Sequence, residues 1–194
     1  MPIELRSDLP IRHFHSASAW ERWLAAHTSA PGLWLKIAKK GSGISTVTYT
    51  EALDVALCYG WIDSQKRACD TVFFLQRFTP RKPKSLWSKN NVAKAETLIT
   101  AGRIRAGGRR EINAAKADGR WQTAYDSGRN MEPPAELRAA LVKNRKAAVF
   151  FAQLDRANHY AVCWRVQTAK KPETRRARVV KLVAMLARGE KIHP

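Results

Sequence analysis

The residues best suited to hold a charged ligand lie between positions 61 and 91. Arginine binds a carboxylate or phosphate through two parallel N–H···O bonds, and tryptophan offers a flat apolar wall. Small hydroxyl and amide groups add further hydrogen bonds. This pattern predicts an anion-binding cleft formed by Trp61, Asp63, Ser64, Arg77, Thr79, Arg81, Trp87, Ser88 and Asn91.

A structural interpretation of the same residues is open. Large aromatic side chains are more often buried in a core than exposed in a site. Trp61 and Trp87 could therefore be core residues, and Arg77 could pair with Asp63 only to hold the fold together.

Three elements must position these residues. Thr48 and Glu51 have the spacing of a capping box, which predicts a helix over 49–60. Residues 71–78 alternate as a strand with apolar side chains on both faces, so the strand should be central in its sheet. Pro80 and Pro83 end this strand, and a helix capped by Ser85 or Ser88 should follow.

The remaining elements divide the chain into two parts. A capping box at Ser18 and Glu21 predicts a first helix to about His27, and residues 33–38 alternate as a strand. Beyond Pro133-Pro134 the pattern is wholly helical, with helices expected at about 135–143, 145–154, 156–168 and 172–188. The sequence predicts an α+β fold, with a small antiparallel sheet and helices in residues 1–132 and a helical C-terminal module in residues 133–194.

Positive charge is concentrated towards the C-terminal end. The chain has a net charge of +19, of which residues 133–194 contribute +10 from 14 Lys or Arg and 4 Asp or Glu. Such a field attracts nucleic acid, anionic lipid or phosphorylated ligands. Arg175, Arg176 and Arg178 lie in the first turns of the last helix, where the helix dipole disfavours cations. They either pair with carboxylates elsewhere or form a second basic surface for an anion.

No catalytic or metal-binding signature is present in the sequence. It has no GxSxG or HExxH motif, and Cys58, Cys69 and Cys163 have no metal-ligand spacing. We therefore predict no catalytic residue, no metal and no cofactor, although Asp54 or Asp63 could serve as a general base if the protein were an enzyme. The N-terminal residues have no apolar run of a signal peptide, and no stretch could span a bilayer, so we expect a cytoplasmic protein.

Several longer segments resemble a known family. ALCYGWIDSQ, QRFTPRKPKSLWSKNN, AKADGRW and AKKPETRRAR occur in this order, and the chain resembles the YdeI/OmpD-associated, or bacteriocin-protection, proteins from about residue 14 to 193. The resemblance implies an α+β N-terminal part, an OmpD-associated-type helical C-terminal domain and a link to envelope stress and resistance to cationic peptides or bacteriocins. It implies no reaction, cofactor or catalytic residue.

Three functions follow as hypotheses. The first is a non-enzymatic bacterial binding or stress-response protein with an anion-binding cleft, whose partner would be an anionic small molecule or a polyanion. The second is a nucleic-acid-binding protein that uses its basic surface with Trp87, Trp121, Tyr125 and Trp164 as stacking rings, although no recognised motif is present. The third is an enzyme with an Asp/Arg cleft and an unidentified reaction.

Overall fold

A computed structural model describes residues 9–126 and 131–194 of the chain. The chain divides into two units, the first formed by Met1–Trp87 with Asn91–Thr123 and the second by Ser88–Asn90 with Ala124–Pro194. The division into an N-terminal domain of residues 1–132 and a C-terminal domain of residues 133–194 stays a prediction.

The first unit contains a four-stranded sheet. Its strands are β1 (Ile11–His13), β2 (Leu33–Ala38), β3 (Trp61–Ala68) and β4 (Phe73–Pro80), arranged in the order β1-β2-β4-β3. The predicted α+β class is confirmed, and β4 is central as expected. The sheet is mixed rather than wholly antiparallel, because a helix crosses over between β1 and β2 and leaves these two strands parallel.

Four helices accompany this sheet, namely α1 (Ala17–Ala26), α2 (Tyr49–Cys58), α3 (Lys89–Thr100) and α4 (Ala106–Ala117). The capping box that starts α2 is confirmed, with Thr48 and Glu51 bonding each other's backbone N–H groups. The predicted cap of α1 is wrong. Ser16 caps this helix, because its backbone is extended and its hydroxyl accepts from the Ala19 N–H, whereas Ser18 lies inside the first turn.

The core of the first unit lies between the sheet and α1 and α2. Trp20 is fully buried at its centre, with ring centroids 5.8 Å from Phe78 and 6.0 Å from Trp61. Its indole N–H donates to the Ala52 carbonyl at 3.1 Å, so this buried polar group is satisfied. Burial of apolar surface at this layer fixes which face of β4 points inward.

The second unit is a bundle of four helices, α5 (Ala135–Val142), α6 (Arg145–Ala152), α7 (Arg156–Gln167) and α8 (Pro172–Ala187). Each begins at the residue that the sequence predicts, because a proline or an asparagine or aspartate cap stands directly before or at each start. The main buried apolar cluster of the unit consists of Met131, Leu137, Leu141, Ala147, Phe151, Val162, Cys163, Val166, Val179, Leu182 and Leu186.

Candidate functional site

Trp61, the first residue of the predicted cleft, lies in the core of the first unit. It is 3% exposed, and its ring packs edge-on against Trp20 and Trp23, with both centroid distances 6.0 Å. A ring enclosed in this way contributes to stability through burial and aromatic packing. The structural interpretation of Trp61 therefore has direct support in its contacts.

Asp63 bonds a tyrosine rather than an arginine. Its Oδ2 accepts from the Tyr49 hydroxyl at 2.7 Å, and burial together with this bond raises the pKa of Tyr49. No ion pair joins Asp63 to Arg77 within residues 9–126. The reason is register: Asp63 lies opposite Phe78, and Arg77, next to Phe78 along β4, points to the other face of the sheet.

Arg77 and Thr79 lie on the face of the sheet away from α1 and α2. Arg77 is half-buried opposite Trp34, and its Nε has no hydrogen-bond partner in the described part of the chain. Thr79 is half-buried opposite Ile62. Ser64 is exposed at the register shift of β3. Strand alternation thus separates Arg77 from Trp61 and Asp63.

Arg81 and Trp87 are the two predicted residues that the structure brings into direct contact. The Arg81 guanidinium carbon lies 3.5 Å from the centroid of the Trp87 ring, and its Nη1 donates to the Leu86 carbonyl at 3.2 Å. Both side chains are buried, and the Trp121 ring packs against Trp87 at 4.8 Å. This cluster has the arrangement of a structural cation–π contact.

The last two predicted residues lie near the start of α3. Ser88 is buried, belongs to the second unit and forms an isolated bridge with Tyr125. Asn91 is half-buried in the first turn of the helix. The nine residues therefore occupy the core, both faces of the sheet and the segment around α3, and their role in ligand binding stays a prediction.

The arginines of α8 make different contacts from one another. Arg175 pairs with Glu136 at 3.2 Å and donates to the Ala169 carbonyl at 3.1 Å. Arg178 donates to the Arg165 carbonyl at the end of α7, at 2.6 Å. Arg176 is exposed and forms no ion pair with any described residue. Pairing therefore accounts for Arg175, whereas no carboxylate in the described part of the chain forms an ion pair with Arg176 or Arg178.

A groove between α7 and α8 gathers several of these cations around an aromatic ring. The groove has a volume of about 640 Å³, which lies in the usual range for small-ligand sites. Half-buried Trp164 and Met185 and buried Leu182 provide its apolar surface. We name it the α7–α8 groove; it is lined by Trp164, Arg165, Arg178, Lys181, Leu182, Met185, Arg188 and Glu190.

The electrostatics of the α7–α8 groove favour an anion. Four of its lining residues are cations and one is a carboxylate. That carboxylate, Glu190, receives two bonds from Arg188, at 2.7 and 2.8 Å, which lower the pKa of Glu190. Arg165 and Lys181 are exposed and make no ion pair with a described residue. Their N–H groups are therefore available for phosphate or carboxylate oxygens.

The sequence interpretation did not place a site here. The sequence offers Trp164 as one of four candidate stacking rings for nucleic acid, without a groove or a set of cations beside it. A signal was present, because the cations at 165, 178, 181 and 188 recur on two helices that a short loop makes antiparallel. The periodicity of a single helix does not show that these cations come together beside the Trp164 ring.

One further pair resembles a catalytic dyad. Cys163 Sγ lies 4.0 Å from Nδ1 of His159, one turn earlier on α7. However, Cys163 is fully buried, and burial raises its pKa to about 11, so the thiol stays protonated at neutral pH. A reactive cysteine needs a thiolate with access to solvent, so this pair has the character of core packing.

Within residues 9–126 and 131–194, no group of three or more His, Cys, Asp or Glu side chains could hold a metal ion. Over the same ranges, no helix has the length and apolar character that crossing a membrane requires.

Comparisons with known proteins divide the chain at about the same place as the fold. Residues 12–111 match the family described as Domain of unknown function (DUF8412). Residues 130–189 match the family described as Bacteriocin-protection, YdeI or OmpD-Associated, which confirms the predicted resemblance for the C-terminal part. No curated protein and no solved structure matches the chain. The chain belongs to the DUF8412 family, whose match covers just over half of it, and its C-terminal part is similar to the family described as Bacteriocin-protection, YdeI or OmpD-Associated.

Proposed function

We propose that this protein is a non-enzymatic bacterial binding protein whose C-terminal unit binds anionic ligands in the α7–α8 groove. The observation that carries the proposal is the pair of exposed cations, Arg165 on α7 and Lys181 on α8, in a groove that is also lined by Trp164. Charge-assisted hydrogen bonds from both walls would hold an anion against the ring.

The groove is a better anion site than the predicted cleft in the first unit. Arg81 is 6% exposed and already stacked on Trp87, so binding an anion there would require the cluster to open. Arg165 and Lys181 are exposed without a ligand, and the desolvation cost of pairing them is correspondingly small. The basic character of the C-terminal part also raises the local concentration of any anion.

The test measures inorganic tripolyphosphate binding by titration calorimetry at constant ionic strength. The double variant Arg165→Ala with Lys181→Ala should weaken binding by about 100-fold, because each of the two lost charge-assisted bonds contributes about 1.5 kcal/mol. The matched control is Lys170→Ala with Arg176→Ala, which removes the same two charges from exposed positions that do not line the groove. An equal loss of tripolyphosphate affinity in the two double variants would overturn the proposal, and so would the absence of binding by the wild type.

We propose the same groove as the basis of a protective role against cationic peptides or bacteriocins, and the description of the C-terminal family names bacteriocin protection. A strain that lacks the protein should be more sensitive to a cationic antimicrobial peptide. The wild type and the Lys170/Arg176 control pair should restore resistance, and the Arg165/Lys181 pair should not. Unchanged sensitivity of the deletion strain would contradict this role and leave the binding proposal to the calorimetric test.

A further inference from the structure

A second groove lies on the other side of Arg188. It has a volume of about 710 Å³ and is formed by α6 and the end of α8. We name it the α6–α8 groove; it is lined by Arg145, Lys146, Val149, Phe150, Gln153, Leu186, Ala187, Arg188 and Gly189. Because Arg188 lines both grooves, the two meet at the C-terminal end of α8.

We propose that the two grooves together form one basic track that binds single-stranded nucleic acid. The inference rests on the proposed function, because it assigns a ligand class to the α7–α8 groove and extends that site. Six cations line the track, namely Arg145, Lys146, Arg165, Arg178, Lys181 and Arg188. The one carboxylate among its lining residues is Glu190, whose two bonds to Arg188 leave the other five cations without an acidic neighbour in the track.

Each groove also contains one aromatic ring. Trp164 lies in the α7–α8 groove and Phe150 in the α6–α8 groove, and both are half-buried. A Cβ atom at Gly189 would lie 3.8 Å from Phe150 Cε2, so the chain passes this ring with only a glycine beside it. Alternation of aromatic platforms with cations along a groove is the arrangement with which proteins bind single strands without reading their sequence.

The ring positions favour a single strand over a duplex or a small anion. Bases of a duplex are already stacked on their neighbours, whereas those of a single strand are free to stack on Trp164 and Phe150. A small anion would satisfy the cations of one groove and leave the other groove empty. The phosphates of a nucleic-acid strand would contact the cations of both grooves. No lining residue selects ribose or deoxyribose, so both kinds of strand are tested.

The first experiment measures fluorescence anisotropy of labelled oligo-dT and oligo-U of about 12 nucleotides, a length within the usual site size. Both should bind, and a duplex of equal length should bind more weakly. Counterion release gives a slope of log affinity against log salt of about −0.7 per neutralised phosphate, so six cations set a limit of about −4. Lys181→Ala should make the slope shallower by about 0.7, and the control Arg176→Ala should leave it unchanged.

The second experiment separates stacking from charge. Trp164→Leu should weaken oligonucleotide binding roughly 5- to 150-fold, because one base loses its platform, and Trp164→Phe should restore most of it. Heparin is the matched ligand, since it is a polyanion without bases. Its affinity should be the same for the wild type and Trp164→Leu, which also shows that the variant is folded.

The outcomes distinguish this inference from the proposed function. Tripolyphosphate binding without oligonucleotide binding overturns the nucleic-acid inference and leaves the anion site in place. If neither tripolyphosphate nor the oligonucleotides bind, both proposals are overturned. Oligonucleotide binding that responds to Lys181→Ala but is unchanged by Trp164→Leu also overturns the inference, because the strand is then held by charge alone. A loss of oligonucleotide affinity in Trp164→Leu that Trp164→Phe restores supports the inference.

Discussion

Arg81 lies over the ring of Trp87 at 3.5 Å, and both side chains are buried. This contact unites two residues that the sequence assigned to a ligand site. A guanidinium enclosed by a ring and a carbonyl contributes to stability, since it is removed from water and retains cation–π and hydrogen-bond energy. Substitution of Arg81 can therefore distinguish a structural role of this pair from a ligand-binding role in the first unit.

Arg81→Met keeps most of the side-chain volume and removes the charge. We expect it to lower the free energy of unfolding by about 2 kcal/mol, because the desolvated cation–π contact and the bond to the Leu86 carbonyl are lost. Urea denaturation measures this change. Lys82→Met at the neighbouring exposed position is the control and should change stability by less than about 0.5 kcal/mol.

Tripolyphosphate affinity of the same variants completes the test. If the first unit holds no anion at Arg81, Arg81→Met binds tripolyphosphate as the wild type does under conditions in which it is folded. A variant that retains full stability and loses affinity would restore the cleft first predicted around Trp61, Arg77 and Arg81.

At Gly108, α4 packs closely against the backbone at the end of α2. A Cβ atom there would lie against the Cys58 carbonyl oxygen and 2.7 Å from the Leu57 carbonyl oxygen. Both are backbone atoms, so Gly108→Ala forces the helices apart. Overpacking costs about 1–3 kcal/mol, and the better helix propensity of alanine returns at most about 1 kcal/mol. We expect a net loss of stability, measured by thermal or urea unfolding.

The control for this substitution is Ala114→Val on the exposed side of α4. It adds side-chain volume where no helix packs and should cost only a difference in helix propensity, about 0.6 kcal/mol. A Gly108→Ala protein more stable than the wild type would show that α2 and α4 do not approach as closely as the structure places them.

Asn158 fixes the C-terminal tail to α7. It is 1% exposed, and its Oδ1 accepts from the Ile192 and His193 N–H groups at 3.0 and 2.8 Å. Its Nδ2 donates to Asp155 Oδ2 at 2.8 Å and to the His193 carbonyl at 3.2 Å. All four hydrogen-bonding positions of the amide are used, so neither a carboxylate nor a methyl group is an adequate replacement.

We expect Asn158→Ala to release the tail and to cost about 2–4 kcal/mol, since it leaves buried polar groups unpaired. Hydrogen exchange of the Ile192 and His193 amides should become fast. Asn158→Asp is the sharper variant, because it keeps Oδ1 and replaces the donor by an oxygen facing the Asp155 carboxylate. Its loss of stability should be larger at neutral pH than at acid pH. Unchanged hydrogen exchange of the Ile192 and His193 amides in both variants would contradict the role of Asn158 in fixing the tail.

Much of this fold could be predicted because the signals were local. The box at Thr48 and Glu51 and the starts of α6 and α7 depend on side chains that bond the backbone three residues away, and the starts of α5 and α8 coincide with prolines. The candidate site could not be predicted in the same way. Asp63 and Arg77 are separated by register and strand alternation, and the groove at Trp164 depends on how α7 packs on α8. Both are tertiary properties that short-range periodicity does not encode.

Glu51 gives a prediction about pH. Its carboxylate accepts from the Thr48 N–H at 2.9 Å and the Thr48 hydroxyl at 2.8 Å, and these bonds hold its pKa below the ordinary value. A depressed pKa in the folded protein means that the unfolded chain binds the proton more readily. The contribution of Glu51 to stability is therefore complete above the unfolded pKa, about 4.3, and is lost as pH falls through the folded pKa.

Glu51→Gln retains an oxygen that accepts from the Thr48 N–H and removes the titration. Between about pH 6 and pH 3, the free energy of unfolding should fall less in this variant than in the wild type, by up to about 1 kcal/mol, the usual size of a capping interaction. Urea denaturation at each pH measures the difference. Glu96→Gln on the exposed surface of α3 should follow the wild type. If Glu51→Gln also follows the wild type, the capping bond does not distinguish the folded from the unfolded state, and acid sensitivity must come from other carboxylates.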